Sequence, residues 1–111
     1  MAWVKNTEEL GTDYYCTDEH GVCRLTVYKS CPDAVWLSSL VVDENHRRRH
    51  IGERILRYAE FLATEELRCS VLSLQVKSGS WMEQWYKRRG FIHVADGYME
   101  DMVIMTKMLR V

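Results

Sequence analysis

The sequence predicts a mixed α/β fold, α+β in arrangement: a mostly antiparallel sheet with one central parallel pair, flanked by helices. Three observations predict it. Short runs rich in β-branched and aromatic residues fill both halves of the chain. Between them the apolar period lengthens from two to 3.6, the mark of an amphipathic helix. Apolar strands bracket that helix, and a strand–helix–strand unit within one sheet demands a right-handed crossover and a parallel pair.

Taken in order, the first dozen residues read as a short helix or a loose arm. "DYYCT" (13–17) and "VCRLTVYKS" (22–30) read as strands, and "DEHG" (18–21) between them has hairpin-turn chemistry. "CPD" turns the chain into a third strand, "AVWLSSLVV" (34–42). Ile51, Ile55, Tyr58 and Leu62 then fall at i, i+4, i+7 and i+11, and Leu56, Ala59, Ala63 and Leu67 widen the stripe. This is a helix of about five turns with one broad apolar face. "SVLSLQV" (70–76) has the short, mostly apolar character of a buried strand. "SGS" opens a second helix over 81–89, with Trp81 and Trp85 one turn apart and Gly90 at its stop. "FIHVA" (91–95) and "DMVIMTKMLR" (101–110) close the chain as strands, apolar enough at the end to pair with a second copy.

At 111 residues the chain implies a single compact domain, residues 1–111, with one core. The formal net charge of -1 argues against a general polyanion binder. The start lacks an apolar core of signal-peptide length, and no run nears the roughly 20 apolar residues of a membrane span. A cytoplasmic location without membrane contact is the expectation. Cys16, Cys23, Cys31 and Cys69 show neither C-x-x-C spacing nor a histidine partner for zinc, so they read as reduced thiols, with Cys69 in the core and no metal.

The chemistry concentrates in "VVDENHRRRHIGERIL" (41–56), where basic side chains stand at the junction of a strand and a helix. The first turn of a helix leaves backbone N–H groups unpaired and carries about half a positive charge. Both features hold phosphate, and neighbouring arginines add attraction and bidentate contacts. A charge run is more often a solvated turn, but this one runs directly from an apolar strand into a long amphipathic helix. A nucleic-acid role is disfavoured because the patch is short and Asp43, Glu44 and Glu53 dilute it.

"LVVDENHRRRHIG" (40–52) resembles the coenzyme A-binding signature of the GCN5-related N-acetyltransferases, the GNAT family: arginine or glutamine, two variable residues, glycine, one variable residue, then glycine or alanine. Arg47 fills the first place and Gly52 the last, while His50 stands where the middle glycine is usual. Such a departure implies a tighter fit against the pyrophosphate or a side chain swung aside. "WYKRRGF" (85–91) resembles the family's aromatic–Tyr–x–x–x–Gly–Phe ending of the second helix, at the correct distance downstream. The resemblance covers about residues 22–110.

The resemblance implies a GNAT-like sheet whose central parallel pair is splayed, with acetyl-CoA as the cofactor and an amine of a small molecule, peptide or protein as the acceptor. Leu40, Val41 and Val42 would offer backbone groups to the pantetheine arm. Arg47, Arg48, Arg49, His50, Ile51, Gly52 and Glu53 would wrap the pyrophosphate, mainly through backbone amides. Tyr86 would protonate the departing thiolate as general acid; its other reading is a core residue packed on Trp85. Gly79 stands seven residues before this tyrosine, where the family often has a cofactor-touching asparagine. The general base is unassigned: the strand offers Ser38 and Ser39, Asp43 and Glu44 read as solvated turn acids, and His46 and His93 are weaker candidates. Fuller members begin with a strand and two helices over the acceptor side, which the short N-terminal stretch here does not match. Trp3, Tyr14 and Tyr15 could form an acceptor surface or be core. Three readings result: an N-acetyltransferase, a non-catalytic acyl-CoA-binding module of the same fold, and, least favoured, a nucleic-acid binder.

Overall fold

The computed structural model describes residues 2–46 and 50–109; Arg47, Arg48 and Arg49 lie outside them. Seven strands form one sheet: β1 (Ala2–Thr7), β2 (Gly11–Asp18), β3 (Gly21–Tyr28), β4 (Ala34–Val42), β5 (Val71–Lys77), β6 (Ile92–Asp96) and β7 (Met102–Met108), in the order β1-β2-β3-β4-β5-β7-β6. β4 and β5 run parallel, and every other neighbouring pair is antiparallel. Helix α1 (Ile51–Phe61) makes the crossover between β4 and β5, and α2 (Trp81–Lys87) follows β5. The expected five-turn helix is present, but its end, Leu62–Glu66, widens into a π-helical turn.

One element departs from the sequence reading. The first dozen residues are neither helix nor loose arm: β1 pairs with β2 along its whole length, from Ala2 opposite Thr17 to Thr7 opposite Thr12. All six of its residues are exposed. No buried face therefore imposes an apolar alternation, and the periodicity that marks other strands is missing. Residues 8–10 then turn the chain straight into β2, with the Glu8 N–H donating to the Gly11 carbonyl at 2.8 Å. The first strand of the fuller family pattern is thus present, while a three-residue turn stands where two helices would be. β7 is also interior, with β5 on one side and β6 on the other, so the outer edges of the sheet are β1 and β6.

The core lies on one face. Cys16, Cys23, Leu25, Val35, Leu37, Leu72, Leu74 and Met105 point to it, and Ile55, Leu56, Ala59 and Tyr86 descend onto it from the two helices. Leu25, Leu72 and Leu74 are almost fully buried. Truncating one of them to alanine would cost about 2–5 kcal/mol. Gly21 admits the close approach of α1: a Cβ there would lie 2.6 Å from the Val41 carbonyl oxygen and 2.7 Å from Ile55 Cδ1. Cys16, Cys23 and Cys69 are buried free thiols. Burial pushes Cys16 up to about 11 and Cys23 to about 12, so both stay protonated fillers of apolar space. Among the described residues no helix covers the opposite face. There Val4, Tyr28, Ile92 and Met108 are exposed, and Trp36 meets Tyr98 at 6.2 Å between ring centres.

Candidate active site

The site begins where β4 leaves β5. The parallel pair holds only from Ala34 opposite Val71 to Leu37 opposite Leu74. Beyond it, β4 pairs only with β3 and β5 only with β7. A bulge explains the parting. On β3, Arg24 faces Ser39 while its neighbour Leu25 faces Leu37, so Ser38 has no opposite residue. An extra residue bends a strand and shifts its side-chain alternation by one. The core positions accordingly run Val35, Leu37, then Leu40 and Val42. From residue 38 onward, the edge of β4 that faced β5 has no strand opposite it, and its peptide groups are left for another partner.

This gap opens into a cleft of about 870 Å³ on the helix-covered face. Leu40, Val41 and Val42 of β4 form one wall. His50, Ile51, Gly52 and Glu53 at the start of α1 form the end, and the other wall comes from Trp81, Met82, Trp85 and Tyr86 of α2 with Arg88 and Arg89 of the turn that follows it. Every described residue singled out from the sequence for cofactor contact, and Tyr86, therefore lines a single cleft. Trp81, Met82, Trp85, Arg88 and Arg89 were not assigned to it from sequence. Trp81, Met82 and Trp85, at i, i+1 and i+4, share one face of α2, and the one-turn spacing of the two tryptophans was the signal that could have placed them.

The start of α1 is open to a ligand. His50 precedes the helix in the left-handed conformation, φ 59° and ψ 20°, and its side chain makes no capping hydrogen bond. That conformation costs a residue with a side chain roughly 1–2 kcal/mol and costs glycine none. This accounts physically for glycine at the matching place of the signature. The imidazole swings outward, 86% exposed, with Nδ1 3.3 Å from Glu53 Oε2. It leaves the first-turn N–H groups clear. Gly52 sits against Val42 and Trp85, where a Cβ would meet ordinary contacts at 3.6 and 3.7 Å, so alanine would also fit.

Arg89 brings a cation to the same cleft. Its guanidinium stacks 3.8 Å from the Trp85 ring centre, and Nη1 donates to the Trp85 carbonyl at 3.0 Å. Nη2 stands 3.9 Å from Glu53 Oε2, while Nε is buried without a hydrogen-bond partner. Such a donor seeks an acceptor. Tyr86 is 1% exposed and held edge-on between Trp85 and Phe91, at 5.0 and 5.3 Å. Burial pushes its hydroxyl well above the ordinary tyrosine range, with the Cys23 thiol adding to the shift. The group stays a neutral O–H donor at any physiological pH.

The candidate bases fare unevenly. Asp43 lies at the exposed end of β4 beside His20, at 4.0 Å, and Glu44 begins a short exposed 3-10 turn. His93 is on β6, separated from the gap by β5 and β7, with Nε2 turned to the Ala95 carbonyl at 3.0 Å. Gly79 takes a left-handed conformation, φ 78°. Its N–H donates to Glu83 Oε1 at 2.7 Å, so the chain uses this group itself. Trp3 packs on Tyr14 at 5.8 Å, and Tyr14 borders the core.

Comparison with solved structures matches this architecture. A GNAT family acetyltransferase from Elizabethkingia anophelis with acetyl-CoA bound superposes with a TM-score of 0.71 at 14% identity, covering 97% of each chain. Ard1 from Thermoplasma volcanium gives 0.70 at 19% identity over 93% of this chain and 72% of that one. An acetyltransferase from Thermus thermophilus gives 0.71 at 17%, over 92% and 66%. At these identities the likeness concerns the fold. No curated protein sequence matches. The family model of the acetyltransferase (GNAT) domain matches residues 8–93, from the turn before β2 into β6. The chain belongs to the GNAT acetyltransferase family.

Proposed function

We propose that the protein is an N-acetyltransferase that moves an acetyl group from acetyl-CoA to a primary amine by direct attack on the thioester. The observation that carries this reading is the continuous path from the β4–β5 gap, along the cleft, to the uncapped start of α1. The residues present fit the cofactor: unpaired peptide groups for an extended arm, first-turn amides for phosphate, and a buried Arg89 Nε lacking an acceptor. When bound, acetyl-CoA supplies the acyl carbon as an activated thioester.

Within this reading, Leu40, Val41 and Val42 hold the arm through backbone groups, one amide of the strand polarising the carbonyl as negative charge develops. Arg47, Arg48 and Arg49 draw the phosphates in, and His50, Ile51, Gly52 and Glu53 hold them through N–H groups. Tyr86 donates its hydroxyl proton to the departing sulfur. Melting in acetyl-CoA tests the reading: at 100 times the dissociation constant the native state should gain about 2.7 kcal/mol. No shift at millimolar acetyl-CoA would sink it. One observation favours the second reading, a non-catalytic acyl-CoA-binding module: among the described residues the only carboxylate lining the cleft is Glu53, which is engaged with His50 and Arg57. In that case acetyl-CoA binds, no amine releases CoA, and Tyr86→Phe changes nothing.

A further inference from the structure

The base that the cleft lacks has a counterpart on the bare face of the sheet. Asp13 of β2, Thr26 of β3 and Ser38 of β4 lie in a row across three neighbouring strands. Asp13 is directly opposite Thr26, and Ser38 is the bulged residue next to Leu37, the last to pair with β5. Thr26 Oγ1 donates to Asp13 Oδ1 at 2.7 Å, and Thr26 Oγ1 and Ser38 Oγ are 2.9 Å apart. A hydroxyl has one proton to give. Thr26 gives it to Asp13, so in the second contact Ser38 must be the donor. The chain is therefore polarised in one sense, Ser38 to Thr26 to Asp13. Thr26 is buried and Ser38 is exposed, which leaves the lone pairs of Ser38 Oγ facing outward at the apex of the gap. They can accept a proton there and pass one inward.

We infer, on the transferase reading above, that Asp13, Thr26 and Ser38 form a proton relay that deprotonates an acceptor amine arriving from the bare face. The protonated amine donates to Ser38 Oγ, the serine proton moves to Thr26 Oγ1, and the threonine proton moves to Asp13 Oδ1. One proton leaves nitrogen and one arrives on the carboxylate, which later returns it to solvent. The freed lone pair attacks the thioester carbonyl carbon. The C–S bond breaks, and the second proton lost by nitrogen balances the one that Tyr86 delivers to sulfur. Ser38 is the group that touches the reacting atom; Thr26 and Asp13 act through it. The groups around Asp13 on this face are Asn6 from β1, Thr26 and, diagonally on β3, Arg24 and Tyr28, with Gly11 and Tyr15 on its own strand. Arg24 is the charged side chain in that set, and the Glu8 carboxylate, which accepts from Asn6 Nδ2 at 2.9 Å, adjoins it.

The test uses the full chain, acetyl-CoA, and two nucleophiles: a lysine peptide with a blocked N-terminus, protonated at neutral pH, and hydroxylamine, which is not. Asp13→Asn keeps an oxygen that can accept from Thr26 but takes up no proton. CoA release to the peptide should fall about a hundred-fold in Asp13→Asn and in Ser38→Ala, with Ser38→Thr restoring most of it. The deficit should shrink at least ten-fold with hydroxylamine, and also with the peptide as the pH is raised to about 10, where free amine becomes plentiful. A purely structural network predicts the same deficit for both nucleophiles at every pH, and that result overturns the relay. So do unchanged peptide rates in Asp13→Asn. Acetyl-CoA stabilisation without CoA release to either nucleophile overturns the relay together with the transferase reading, whereas no stabilisation rejects the cofactor site itself.

Discussion

The two helices begin in opposite ways. α2 starts at Ser80, whose Oγ accepts from the Glu83 N–H at 3.3 Å, while Glu83 reaches back to the Gly79 N–H. That is the reciprocal logic of a capping box, and it satisfies the helix from within the chain. α1 starts at His50, which caps nothing and turns its ring to solvent. Helix propensity does not decide this difference, since α1 is the longer of the two and carries the broader apolar stripe. What differs is the use to which the first-turn amides are put. Where the chain fills them, the helix end is structural; where it leaves them open at the mouth of a cleft, they remain free for an anion such as the one proposed above.

The largest expected effect comes from closing the open end. Gly52→Glu would place a carboxylate and its stem between Val42 and Trp85, beside the amides of residues 51–53. Calorimetric titration should show acetyl-CoA affinity falling at least a hundred-fold, about 2.7 kcal/mol, with little loss of melting temperature. Gly52→Ala should bind nearly as well as the native chain, since its Cβ meets only ordinary contacts. If Gly52→Glu bound acetyl-CoA normally, the contrast between the two helix starts would have no functional content.

Arg89→Ala is the next in size. It removes the guanidinium stacked on Trp85 and the buried Nε that lacks a partner. Loss of one charge-assisted phosphate contact should weaken acetyl-CoA about ten-fold, and Arg89→Lys should recover little because a point charge cannot reproduce the fork. A variant that melts lower yet binds acetyl-CoA with native affinity would reduce Arg89 to a packing residue.

How much of this could be read in the sequence follows the same division. Elements with one buried face announced themselves: β4 matched its expected bounds, and α1 its stripe, because burial imposes a period. β1 has no buried face, and nothing in "AWVKNT" distinguished a strand from an arm. The bulge was written in "AVWLSSLVV" as apolar positions 35 and 37 giving way to 40 and 42, but a polar pair inside a strand is also what an exposed stretch looks like. His50 was legible as a departure from a pattern, while its positive φ, the reason for the pattern, belongs to the backbone. The row Asp13, Thr26 and Ser38 was illegible in principle. Its members stand 13 and 12 residues apart, and only the strand register brings them together.

Removing the cap that does exist should act on stability alone. Ser80→Ala strips α2 of its N-cap acceptor and should cost about 1 kcal/mol in chemical denaturation, with acetyl-CoA affinity unchanged within two-fold. A loss of affinity larger than that would mean the α2 wall of the cleft depends on its cap, and the two helix starts would no longer be independent.

The smallest effect tests the capped end by pH. The Glu83 carboxyl is held below its ordinary value of 4.5 mainly by the Gly79 N–H, then by its hydrogen bond to Lys87. A depressed carboxyl stabilises the fold above its unfolded pKa, and that contribution disappears as the pH falls through the folded value. Glu83→Gln should therefore melt lower than the native chain at neutral pH, and the two curves should converge on acidification below about 4.5, the ordinary carboxylate value. Parallel curves for Glu83→Gln at every pH would mean that the carboxylate charge contributes nothing to the capped end.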